Sequence, residues 1–177
     1  GVIVLTKQFG SGVIATAIKR GEVDENVIAD AVQVMTTLNR SAAEAMLSAE
    51  VQAATDVTGF GLLGHLRGMM SASGTSATLE TARIPFLAGA RELTEAGHVP
   101  GGTRRNLEDL AGDLDFADSV DEVTRILLAD AQTSGGLLMC VAPDRLTALL
   151  TDLEGDTPSA SVIGEVVQGQ PGTIRIE

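Results

Sequence analysis

Short apolar runs and helix-period stretches alternate along this chain from end to end, with glycine or proline at most changes of period. This alternation constrains the fold more than any single motif. A period of two sets side chains on the two faces of a strand, and a period near 3.6 sets them along one face of a helix. Val2-Ile3-Val4-Leu5 reads as a strand, and Val13 to Arg20 as a helix closed by Gly21 with basic residues in its last turn. Asp24 stands as N-cap of a helix whose Val27, Ile28, Ala31, Val34, Met35 and Leu38 recur at three- and four-residue spacing, which predicts a buried stripe. Ser41 to Glu50 reads as a further helix. Val51 to Ala54 is an apolar lead into Thr55-Asp56-Val57-Thr58-Gly59-Phe60-Gly61, followed by a helix to Met70. Ser76 to Glu80 alternates as a strand, Pro85 to Gly97 reads as a short helix, Pro100-Gly101-Gly102 as a turn, and Arg104 to Asp118 as irregular acidic chain. Val120 to Ala129 reads as helix and Leu137 to Ala142 as buried strand. Pro143 to Leu153 follows as a helix with proline at its first position, and Ser161 to Val167 and Thr173 to Ile176 close as strands. With no repeat and no low-complexity linker, residues 1–177 read as one α/β-type domain.

The material for its core is restricted. Hydrophobic residues make up 44% of the chain, yet there are four Phe, no Trp and no Tyr, so Leu, Val, Ile, Ala and Met must fill the interior. The shortage of rings also disfavours single-stranded nucleic-acid platforms and sugar clefts. Twelve Lys and Arg against 24 Asp and Glu give a net charge of −12, and the only adjacent basic pairs are Lys19-Arg20 and Arg104-Arg105. That is too little to displace counterions from a duplex, so no nucleic acid is expected as a partner. The single cysteine, Cys140, excludes an internal disulfide and a CxxC site. No apolar run approaches the roughly 18 residues that span a bilayer, so no membrane is expected as a partner and a reduced, cytoplasmic setting is. The chain opens straight into an apolar strand without Met or a polar lead-in, which predicts a piece of something longer.

The chemistry-bearing residues concentrate in residues 55 to 61. A lone carboxylate, Asp56, ends a strand, and two glycines then open a helix. A helix start offers unpaired N–H groups that suit phosphate oxygens, and an Asp beside it can hold Mg2+, which takes hard oxygen ligands and few carboxylates per site. The residues leave a second reading open, in which Asp56 caps the helix and Gly59 and Gly61 serve the turn. On that helix Leu62, Leu63, Leu66, Met69 and Met70 form one apolar face, and Gly61, Gly64 and Gly68 lie beside it. Glycine costs about 1 kcal/mol in a helix interior, so the strip predicts close approach of another backbone or a ligand. Gln132 to Gly136 reads as a structural turn, since Ser134 stands outside any GxSxG elbow. Arg104 and Arg105 suit either an anion clamp or local salt bridges. Lys7, before Gly10-Ser11-Gly12, reads as a solvated strand-end lysine with a phosphate neighbour as the alternative. Cys140 reads as a packed, inert thiol and His65 as a structural histidine. The residues alone give an anion and metal corner and no complete catalytic set.

Taken in order, LTKQFGSGV (5–13), MTTLNRSAAE (35–44), ATDVTGFGLLGHL (54–66), VPGGTRRN (99–106), LLADAQTSGGLL (127–138) and VIGEV (162–166) resemble the C-terminal half of the selenophosphate synthetase (selenide, water dikinase) family. The resemblance covers essentially the whole chain. TDVTG-like strings alone would indicate only the wider superfamily of aminoimidazole ribonucleotide (AIR) synthetase, thiamine monophosphate kinase and the hydrogenase-maturation dehydratase. Gln8-Phe9 stands where the family usually has Pro and Leu, and Ala131 where it has Pro. The resemblance implies an α+β fold, a mixed and largely antiparallel sheet packed with helices and partly ferredoxin-like. It implies a reaction in which ATP, selenide and water give selenophosphate, AMP and phosphate with Mg2+, in a two-domain homodimer. The catalytic Cys or selenocysteine, its Lys and most Mg-ligating aspartates belong to the family's N-terminal, ATP-binding domain, which these 177 residues do not include. No catalytic residue is therefore expected here. The one metal ligand that the resemblance carries over is Asp56, which it favours as a Mg2+ ligand over a cap. Another ATP-dependent enzyme of the superfamily and a non-enzymatic binding module are the competing expectations.

Overall fold

The computed structural model describes all residues, Gly1–Glu177. Seven strands form one sheet: β1 (Val2–Leu5), β2 (Ala53–Asp56), β3 (Ser76–Leu79), β4 (Leu114–Phe116), β5 (Leu137–Val141), β6 (Ser161–Val167) and β7 (Ile174–Ile176), in the spatial order β2-β5-β1-β6-β3-β7-β4. β1 runs antiparallel to both β5 and β6, β2 antiparallel to β5, and β3 antiparallel to β6. Only β7 pairs in parallel, with β3 and β4. The sheet is thus mixed and largely antiparallel, as the family resemblance implies.

The apolar runs become strands buried on both sides. On β5, Leu138 and Cys140 join Ile3, Leu5 and Ile163 on one face, while Leu137, Met139 and Val141 join Val4 on the other. The first face is covered by α4 (Gly61–Ser73), through Leu62, Leu63, Leu66 and Met70. The second is covered by α3 (Arg40–Ser48) and α8 (Leu146–Leu153), through Ala42, Ala45, Leu149 and Leu153. A third apolar cluster ties α1 (Ser11–Lys19), α2 (Glu25–Thr36), α5 (Ala90–Glu95) and α7 (Glu122–Leu128) together. Aliphatic side chains do fill the core; of the four rings only Phe9 is fully buried.

Five local expectations are corrected. Gly101–Leu110 is a helix, α6, where a turn and irregular chain were predicted. Its buried positions, Thr103 and Leu110 with half-buried Asn106 and Leu107 between, keep helical spacing, but the charges on its outer face and two glycines in its first turn hid the period. Pro85 to Gly89 is not helical: Phe9 donates to the Pro85 carbonyl and Leu87 donates to the Phe9 carbonyl, so this segment pairs as an extended bridge before α5 begins. Asp24 sits at the N-cap of α2 without a side-chain cap bond. The stripe on α2 is largely half-buried, with only Ala31 fully inside, and Leu38 is 77% exposed. Of the glycine strip, Gly61 alone meets another backbone. Its φ is +68°, and a Cβ there would lie 2.6 Å from the Ala129 carbonyl oxygen. A Cβ on Gly64 would meet only side chains, those of Phe60 and Leu110, and one on Gly68 would meet nothing.

Candidate functional site

Because β5 is antiparallel to both β1 and β2, the ends of those two strands and the start of β5 lie at one end of the sheet. Asp56 pairs with Leu137, and Leu5 with Leu138. The loop Gln132 to Gly136 leads into β5 there and is stitched to its neighbours. The Val57 amide donates to the Gly136 carbonyl at 2.9 Å, and the Gln132 amide to the Thr58 carbonyl at 3.0 Å. A structural turn is therefore borne out for this loop. Close packing demands its glycine: a Cβ on Gly135 would fall 2.0 Å from the Val57 carbonyl oxygen.

Two carboxylates serve this end of the molecule in opposite ways. Asp56, the last residue of an exposed edge strand, is exposed. It makes no cap bond to α4, so the capping alternative is not what the structure shows. Asp130 is completely buried. Its carboxylate accepts from the amides of Gly12 (3.0 Å) and Val13 (3.1 Å), from Thr103 Oγ1 (2.8 Å) and from Gln132 Nε2 (3.1 Å). Burial pushes its pKa up to about 6, against the pull of those four donors. Gln132 Oε1 in turn accepts from the Gly10 and Ser11 amides and from Ser11 Oγ. The start of α1 is thereby capped from a distant part of the chain, and its N–H groups are not free for a phosphate. Nothing in residue-type spacing singled out Asp130; the only signal was a carboxylate beside Gln132 in a segment otherwise apolar and small.

His65 holds the loop after Asp56 from the first turns of α4. Its Nε2 accepts from the Thr58 amide at 3.1 Å and lies 3.2 Å from Thr58 Oγ1. The ring meets Phe60 edge-on with centroids 5.8 Å apart. Burial lowers its pKa and the Asp56 charge raises it, and accepting an amide proton requires the neutral ring. It is the structural histidine the sequence predicted. Beside it, Thr55, Phe60, Gly64, Gly68 and Asn106 help line a cavity of about 670 Å³ between α4 and α6.

The remaining candidates disperse. Lys7 is not solvated: it is 2% exposed, with Nζ donating to the Ser134 carbonyl at 2.9 Å, and burial lowers its pKa. Arg104 and Arg105 are exposed on the outside of α6 and stand outside the eight ion pairs of the structure, so the salt-bridge alternative fails for both. Asn106, from the same motif, instead donates to the Gly59 and Ala129 carbonyls. Cys140 is buried in the sheet with its thiol pushed up to about 11, which leaves it protonated and unreactive. No three His, Cys, Asp or Glu side chains converge anywhere as a ready metal cage, and no helix is long and apolar enough to cross a membrane.

This sheet, with an open strand-end carboxylate and a glycine-led helix beside it, belongs to a defined class of domain. The chain is a member of the family described as AIR synthase related protein, C-terminal domain, which it matches over residues 1–177. Among curated relatives, the selenide, water dikinase of Myxococcus xanthus is 47% identical over 173 residues, which is 97% of this chain and 49% of that protein. The selenide, water dikinase of Carboxydothermus hydrogenoformans is 42% identical over 175 residues, 99% of this chain and 50% of that protein. The chain thus spans about half the length of these relatives. Solved structures of the hydrogenase maturation protein HypE, one of them in complex with ATP, share the fold at TM-scores of 0.68 and 0.63 and 18% identity, covering 99% of this chain and 49% and 47% of theirs.

Proposed function

We propose that this chain is one domain, the C-terminal half of a selenide, water dikinase, and that it closes a Mg2+–ATP site built mainly by an N-terminal domain of the same protein. The reaction is the one the resemblance implies: ATP, selenide and water give selenophosphate, AMP and phosphate, in a cytoplasmic homodimer. The observation that carries the reading is Asp56, a carboxylate held at a strand end and left open while every donor around Asp130 is consumed. The names of relatives at 47% and 42% identity support the substrate, and the ATP complex of a protein with this fold supports the nucleotide.

The donor set fits Mg2+. With no three-group cage present, Asp56 serves as a single hard-oxygen ligand, which suits an ion that keeps phosphate oxygens and waters in its remaining positions. When bound, the ion neutralises charge on the phosphates during phosphoryl transfer. The contribution of this chain is positional. β5 holds Asp56 in register, His65 holds the turn that follows, and Gly61 lets α4 start against Ala129. The test is Asp56→Asn in the full-length protein: loss of several kcal/mol of transition-state charge stabilisation predicts a fall in turnover of about a hundredfold or more. Near-normal turnover and metal dependence would remove the assignment.

A further inference from the structure

The loop Ser134-Gly135-Gly136 has its acceptors and donors in opposite states. All three carbonyls are taken by the protein: Lys7 Nζ donates to Ser134, Asn39 Nδ2 to Gly135 at 2.9 Å, and the Val57 amide to Gly136. None of the three amides donates to any protein group, although Gly135 and Gly136 are buried. Buried backbone N–H groups without an acceptor are rare, because each forfeits its hydration. Ser134 is also one of two non-glycine residues with positive φ, at +50°. Successive amides about a left-handed residue form the kind of concavity that takes anions.

A second anomaly adjoins the first. Lys7 is 2% exposed, spends one of its three N–H donors on Ser134, and has no carboxylate partner. A buried ammonium ordinarily has a counter-charge, and this chain, at −12 overall, supplies none at that point. Free donors on this loop beside a buried cation with no counter-charge complement a small oxyanion.

We propose that Lys7 and the amides of Ser134, Gly135 and Gly136 form a binding site for a phosphate group, separate from Asp56 though at the same end of the sheet. This rests on the reading that phosphates of the reaction gather at that end, and assigns Lys7 and the loop as groups that position one of them. The bound group can come from free phosphate or from a nucleotide, and the two sources are tested apart.

The experiment is a titration of the isotopically labelled 177-residue chain in EDTA, once with inorganic phosphate and once with AMP, following its backbone amide signals. Saturable shifts at Ser134, Gly135 and Gly136 are expected with at least one of the two, and the one that shifts them identifies the source. Lys7→Met, which exchanges a buried cation for an apolar chain of similar length, should weaken binding about tenfold or more, and Lys7→Arg should restore part of it. No saturable shift at these amides with either ligand overturns the proposal, as does unchanged affinity in Lys7→Met. If that variant does not fold, the wild-type titration decides alone. The Asp56 reading is tested by turnover and metal dependence of Asp56→Asn in the full-length protein, so failure of one is distinguishable from failure of the other.

Discussion

Asp56 and Asp130 stand at the same end of one sheet, each beside a glycine-led helix, and they do opposite things. Asp130 lies out of water with four donors on it and joins α1, α6 and the loop into β5. Asp56 lies in water at an edge strand and caps nothing. A buried carboxylate survives only when its hydrogen bonds are made inside the molecule, so Asp130 is committed to the fold. An exposed carboxylate owes the fold nothing, and its lone pairs remain available to a ligand. Two carboxylates at one end of the sheet are therefore a structural group in one place and a candidate ligand in the other.

The comparison breaks most directly at Asp130. Asp130→Ala would strand several buried donors and should cost about 4 kcal/mol in denaturant unfolding. A cost near zero would erase the distinction. The next effect is a pH dependence. Because burial raises the folded pKa of Asp130 to about 6 from an ordinary 3.8, the folded chain binds more protons than the unfolded one between those values. The contribution of this group to stability is greatest in acid and falls as pH rises through that window, by at most about 3 kcal/mol. Asp130→Asn should flatten that part of the curve. Asp121, held at about 2 by bonds from Thr124 and Arg91, acts with the opposite sign, its contribution fading below the ordinary carboxyl range. A smaller effect is expected at His65: His65→Ala removes the acceptor of the Thr58 amide and should cost about 1 kcal/mol, with the amide signals of Val57 to Phe60 broadened. The smallest belongs to Asp56. Asp56→Asn should change stability by no more than about 0.5 kcal/mol, and a larger loss would show that the open carboxylate supports the fold after all.

Much of this is legible in the sequence alone. Leu137 to Ala142 reads as a buried strand because an unbroken apolar run has no face to spare for solvent. The apolar face of α4 was legible from its period, and Asp56 from its place between a strand and a glycine-led helix. The misreadings have physical causes. Polar side chains on the outward face of α6 concealed a real helical stripe. Pro85 to Gly89 leads into a real helix, α5, but pairs with Phe9 in a strand-like bridge, which no local pattern reveals. Lys7 read as solvated because lysine usually is; its burial follows from the loop packed over it, 127 residues away in sequence.

By itself the sequence determined where most of the strands and helices fall, that their core is aliphatic, and that one carboxylate ends a strand before a glycine turn, because each of these follows from periodicity and residue chemistry over a few neighbouring positions. Only the tertiary structure decided which polar groups have partners. Satisfaction is a property of groups brought together across the chain: Asp130 meets Gly12 and Thr103, Lys7 meets Ser134, and Asp56 meets none. Whether a carboxylate or an ammonium is spent on the fold or left for a ligand depends on that long-range pairing, and no window along the sequence contains it.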